Sequence, residues 1–113
     1  MKPNCEQLQF FLEVLRACPT GSRITFDQSE PETLVHALRE WSYRANPEDL
    51  EADFYVIEDG LIARVEDLAA RGELDLDHSF YIESTDGREV CTSLDDFSAV
   101  WLGEDIQTKV KPP

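Results

Sequence analysis

NPEDLEADFYVIEDGLIARVEDLAARG, residues 46–72, is the stretch on which the fold turns. At helical spacing, Leu50, Phe54, Ile57, Leu61, Val65 and Leu68 fall within an arc of about 80° at roughly 100° per residue. Glu48, Asp49, Asp59, Glu66 and Asp67 fall on the far side. Asn46 is a good N-cap, Pro47 suits a first helical turn, and Glu48 and Asp49 complement the positive end of the helix dipole. Arg71-Gly72 supplies a stop. The spacing predicts a helix over 47–71, with Gly60 as the place where it can break. A competing reading exists. Phe54-Tyr55-Val56-Ile57 is rich in strand formers and Asp59-Gly60 is a hairpin signal, so 53–58 would pair with 61–65. The helix is preferred because the apolar arc runs past the hairpin to Leu68.

The distribution of charge does not depend on that choice. The chain has 113 residues and a formal charge of −14. Residues 45–87 carry 13 acidic side chains against Arg64 and Arg71, a net of −11, while residues 1–44 give −1 and residues 88–113 give −2. So acidic a chain repels phosphate backbones and anionic membrane surfaces, which argues against direct binding to nucleic acid or lipid.

Working outward, residues 4–18 read as an amphipathic helix with Leu8, Phe11, Leu12 and Leu15 on one side, flanked by Cys5 and Cys18. Arg23 to Asp27 reads as a strand. Ser29 with Glu32 is a capping-box pattern that opens a helix carrying Leu34, Leu38 and Trp41, ending before Asn46-Pro47. Ser79 to Glu83 is a strand, Thr85-Asp86-Gly87-Arg88 a turn and Glu89 to Thr92 the returning strand. Ser93 is read as the cap of a last helix to about Leu102, with Leu94, Phe97, Val100 and Trp101 inward and Gly103 as its stop. The expected fold class is α+β: a small antiparallel sheet, hairpin 79–92 plus strand 23–27, packed against three or four helices. It would be one domain, 1–113, with a frayed C-terminal tail at 108–113.

The candidate chemical sites are weak. Asp75, Asp77, His78 and Ser79 start like a calcium loop, but Phe80 and Asp86 stand where that loop needs Gly and Glu, so no metal is expected. Cys91 could be a nucleophile activated by His36 or His78, yet no flanking signature supports it. Carboxylate pairs such as Glu58 with Glu83 arise by chance among 24 acidic residues. No glycine-rich phosphate loop is present. Catalytic residues, cofactor and metal are all expected to be lacking. Cys5, Cys18 and Cys91 form no CxxC and read as free thiols of a soluble, cytoplasmic protein. No signal-peptide or membrane-span pattern is seen. Trp41 and Trp101 are expected in the core, and Tyr43 and Tyr55 at the surface.

The acidic stretch is the feature that stands above background. The sequence points to a protein-binding module or inhibitor, not an enzyme, whose face at 46–77 engages a basic protein such as a toxin or a nucleic-acid-binding protein. Glu48, Asp49, Asp59, Glu66 and Asp67 form the expected contact patch, with Tyr55 as anchor. Small acidic immunity proteins and DNA mimics work on that principle, an analogy of charge alone. Two alternatives stand beside it: a self-associating structural or regulatory protein, a homodimer sealed along Leu50 to Leu68, and a small ligand-binding domain or enzyme with a pocket between sheet and helices.

Overall fold

The computed structural model describes residues 3–26, 32–49, 52–76, 79–95 and 97–113. The elements run α1 (Cys5–Ala17), β1 (Arg23–Phe26), α2 (Glu32–Ala37), a single 3-10 turn (Arg39–Trp41), β2 (Ser42–Tyr43), β3 (Phe54–Val56), α3 (Asp59–Ala70), β4 (Phe80–Glu83), β5 (Glu89–Leu94) and β6 (Ala99–Leu102). The strands form one six-stranded sheet in the order β2-β3-β1-β4-β5-β6, every neighbouring pair antiparallel. The expectation of a small sheet under three or four helices is therefore overturned: the sheet has six strands, and two long helices, α1 and α3, cover it. Among the described residues no helix is long and apolar enough to cross a membrane.

The stretch 46–72 divides at Glu58. Phe54-Tyr55-Val56 is a strand pairing with β1 on one side and β2 on the other, and the helix begins only at Asp59. The long helix over 47–71 and the hairpin of 53–58 with 61–65 are both corrected. Helical spacing and β-branched content competed for the same residues, and two flanking strands decided the contest. Asn46 does cap, but it caps a turn: its side chain accepts from the Glu48 amide at 3.1 Å, and its carbonyl accepts from Asp49 at 3.0 Å. Leu50, the first residue of the stripe, lies outside the described residues, as do Ser29 and Pro31 of the anticipated capping box. Gly60 sits in the first turn of α3, where a Cβ would come within 2.9 Å of the Trp41 ring, so this glycine makes room for an indole.

The second large correction is at 93–102. In place of a helix, β5 runs to Leu94 and turns back into β6. Val100-Trp101-Leu102 is strand-forming, and the turn is closed by Asp95 at φ 49° and Phe97 at φ 68°, left-handed conformations that non-glycine residues seldom take. Phe97 is held there by ring contacts, edge-on to Phe10 at 6.0 Å and to Phe80 at 5.8 Å between centroids.

Alternation along the strands gives the sheet two unlike faces. The inner face carries Ile24, Tyr55, Phe80, Ile82 and Cys91, all buried under α1 (Phe10, Phe11, Val14, Leu15) and α3 (Leu61, Val65, Leu68). Phe11 meets Phe80 at 5.1 Å between centroids. Beyond β6 the chain turns back to this core through Ile106 and Val110, both buried, while the other residues of 108–113 are exposed. The outer face leaves Tyr43, Tyr81, Leu94 and Trp101 exposed.

Candidate interaction surface

The cross-strand register lines up one residue from each strand on the outer face. Tyr43 is opposite Phe54, Thr25 opposite Tyr81, Tyr81 opposite Thr92, and Thr92 opposite Trp101. Ile24 opposite Tyr55 places Phe54 beside Thr25, one step further along the same ladder. The row Tyr43-Phe54-Thr25-Tyr81-Thr92-Trp101 thus crosses the whole sheet, about 24 Å at the usual strand spacing. Tyr43 (49 % exposed), Tyr81 (43 %) and Trp101 (50 %) are open to solvent, and Leu94 lies on the same face. Tyr43 stacks on Phe54 at 4.8 Å, and the Arg23 guanidinium covers the Phe54 ring at 5.0 Å while donating to the Thr85 carbonyl. Trp101, anticipated in the core, is instead one of the most exposed large apolar side chains, because its strand is an outward-facing position and not a helix stripe.

Beside this row lies a shallow pocket of about 420 Å³ bounded by Thr25, Tyr81, Glu83, Gly87, Glu89 and Thr92. Glu83 and Glu89 are directly opposite each other across β4 and β5. Like charges so placed repel. Glu89 accepts from the Thr92 hydroxyl, and among the described residues no lysine or arginine forms an ion pair with either carboxylate. The nearby hairpin turn is tied differently. Asp86 accepts from the Ser84 hydroxyl and from Arg88, whose guanidinium also reaches Asp105 at 3.2 Å. These bonds, the Ser84 one foremost, hold the Asp86 carboxyl down at about 2.

The contact patch expected from the sequence draws on two separate elements. Glu48 and Asp49 are exposed in the loop after β2, whereas Asp59, Glu66 and Asp67 belong to α3 in the helical layer. Glu66 is paired with Arg16 and Asp67 with Arg71, each at 3.0 Å. Tyr55, the expected anchor, is 1 % exposed on the inner face; its neighbour across the pleat and strand, Tyr43, holds the surface position. The stripe proposed as a dimer seam is also occupied, since Leu61, Val65 and Leu68 are buried against the protein's own core. Sequence reasoning missed the face because its members come from six short strands, three of which (β2, β3 and β6) lie in segments that read as helix; the alternation in Phe80-Tyr81-Ile82-Glu83 was the available signal.

The remaining candidates are placed as follows. Asp77 and His78 lie outside the described residues, and among those described no three histidine, cysteine or acidic side chains cluster as metal ligands. Cys91 is buried on the inner face, and burial pushes its thiol up to about 12, the opposite of an activated nucleophile; Cys18 is pushed up to about 12 for the same reason. His36 is exposed on α2, Glu58 stands exposed at the start of α3, and Glu83 is exposed at the end of β4. Comparison with protein families, curated proteins and solved structures finds no match to this chain.

Proposed function

We propose that the protein is a recognition module, not an enzyme, that presents the open face of its sheet to a basic protein partner. The observation that carries this reading is the opposition of Glu83 and Glu89, neither ion-paired among the described residues, beside an exposed aromatic row, with Arg23 opposite Glu83 on the other side. A lysine or arginine from a partner would lie between the carboxylates and rest its aliphatic stem on Tyr81. Tyr and Trp are the side chains that most often anchor protein interfaces. The net charge of −14 adds long-range attraction for a cationic surface, an attraction that salt weakens. Glu48 and Asp49, beside the Tyr43 end of the row, extend the same potential. Three cysteines, free of disulfides, fit a cytoplasmic setting.

The test is affinity capture from the source cell at low and high salt, comparing the wild type with Glu83→Gln/Glu89→Gln and with Tyr81→Ala. A basic protein held by the wild type, released by salt and lost by both variants is expected. A partner retained equally by the variants, or indifferent to salt, would overturn the reading.

A further inference from the structure

The outer face ends at β6, an edge that no described residue covers by hydrogen bonding. Gly103 donates to the Val90 carbonyl at 2.8 Å, one step beyond the pairing of Leu102 with Cys91. Bonding alternates along an antiparallel ladder, so Trp101 and Ala99 turn their backbone groups towards β5. Val100 and Leu102 then turn theirs outward. Among the described residues no loop, turn or side chain hydrogen-bonds to the backbone of Val100 or Leu102. Edge strands are ordinarily protected by lysine, proline, a bulge or a covering segment. Ala99-Val100-Trp101-Leu102 has no lysine, proline or other charge, and the chain beyond it turns under the inner face.

We infer that β6 takes up an extended segment of the basic partner as a seventh strand. The inference rests on the reading of the open face and adds how the partner attaches. Charge selects the occupant. Asp95, in the turn that leads into β6, and Glu104, two residues beyond it, are exposed; neither forms an ion pair among the described residues, though Arg88, shared with Asp86 and Asp105, lies within electrostatic reach of Glu104. A strand laid along β6 meets a carboxylate at each end, so it carries lysine or arginine there and small or β-branched residues between. A second copy of this chain would bring its own Asp95 and Glu104 to the same edge, carboxylate against carboxylate. Strand addition draws affinity from main-chain hydrogen bonds and specificity from alternate side chains. Here the bonds come from Val100 and Leu102, and the outward side chains of the added strand lie beside Trp101.

The experiment uses the whole protein and amide-resolved hydrogen exchange by NMR. The probes are the synthetic peptide Lys-Val-Thr-Val-Thr-Val-Lys, its glutamate-ended counterpart, and the lysine-ended peptide with proline at its centre. The lysine-ended peptide is expected to slow exchange at Val100 and Leu102 at least tenfold, and the other two to leave both unchanged. Val100→Pro removes an outward N–H without touching the β5 ladder; retained protection of the Trp101 amide shows that it folds, and protection by the peptide at Leu102 should disappear. Peptide-induced shifts at Tyr81 and Glu83 without protection at Val100 and Leu102 would sink strand addition while leaving the face reading in place. No response at either location would overturn both. A dimer in sedimentation that Val100→Pro converts to monomer would assign the edge to a second copy and overturn the inference.

Discussion

Glu83 on β4 and Glu89 on β5 share one cross-strand position on the open face, with Arg23 on β1 opposite Glu83 on its other side. Glu89→Gln, which leaves the Arg23–Glu83 cross-strand pair in place, is expected to stabilise the protein by about 0.2–1 kcal/mol, the range for relieving like charges directly across a sheet. Wild-type stability should rise with added salt more than that of the variant. Urea unfolding at two ionic strengths measures both. Equal salt response in the two proteins would mean that the carboxylates do not feel each other.

Gly103 lies opposite Val90, where the β4–β5 pairing shifts register, and a Cβ there would fall on the Glu89 carbonyl oxygen. Backbone cannot move aside as a side-chain end can. Gly103→Ala should therefore cost about 2–3 kcal/mol, the upper part of the overpacking range, read as a lowered urea midpoint. Gly72→Ala, whose Cβ would meet nothing within 4 Å but whose φ is 69°, separates conformational strain from steric contact. Its cost should be smaller, about 1 kcal/mol.

How much of this was legible beforehand differs from element to element. α1 lies at Cys5–Ala17 with Asn4 and Gln7 forming a capping box, where apolar spacing predicts a helix over 4–18, because nothing in that segment competes with the helical period. The hairpin around Asp86-Gly87 was equally plain, since Gly87 at φ 84° supplies the turn that its neighbours cannot. Tyr55 and Trp101 were misplaced for a common reason. Each sits in a segment of three or four residues whose apolar members fit both periods, and the identity of the neighbouring strand settles which side faces water. That information is non-local. The candidate surface inherits the same difficulty, as Glu83 and Glu89 become a pair only through register.

Thiol reactivity should divide the three cysteines. Cys5 is exposed, whereas Cys18 and Cys91 are held up at about 12, by burial first and, for Cys91, by the additional charges of Cys18 and Glu89. Iodoacetamide at pH 8 should modify Cys5 alone in the folded protein and all three in urea, as read by peptide mass spectrometry. Labelling of Cys91 without denaturant would show that β5 opens on the timescale of the reaction.

Asp86 provides a pH signature for the hairpin turn. Its carboxyl titrates at about 2 in the folded protein, lowered first by the Ser84 hydroxyl and then by Arg88, against about 3.9 in an unfolded chain. A depressed folded value means the contribution is complete above pH 4 and is lost as pH falls from about 4 through 2. Carboxyl NMR should place the Asp86 midpoint near 2, and Ser84→Ala should move it upward. An unshifted midpoint in that variant would transfer the effect to Arg88.

β1 lies between β3 and β4, which are parallel to each other and joined by α3 crossing the inner face. During synthesis the ribosome releases residues 23–26 long before either neighbour that must flank them. The amino-terminal half consequently cannot reach a stable state alone, and nascent chains should stay protease-sensitive until the segment 80–83 has emerged.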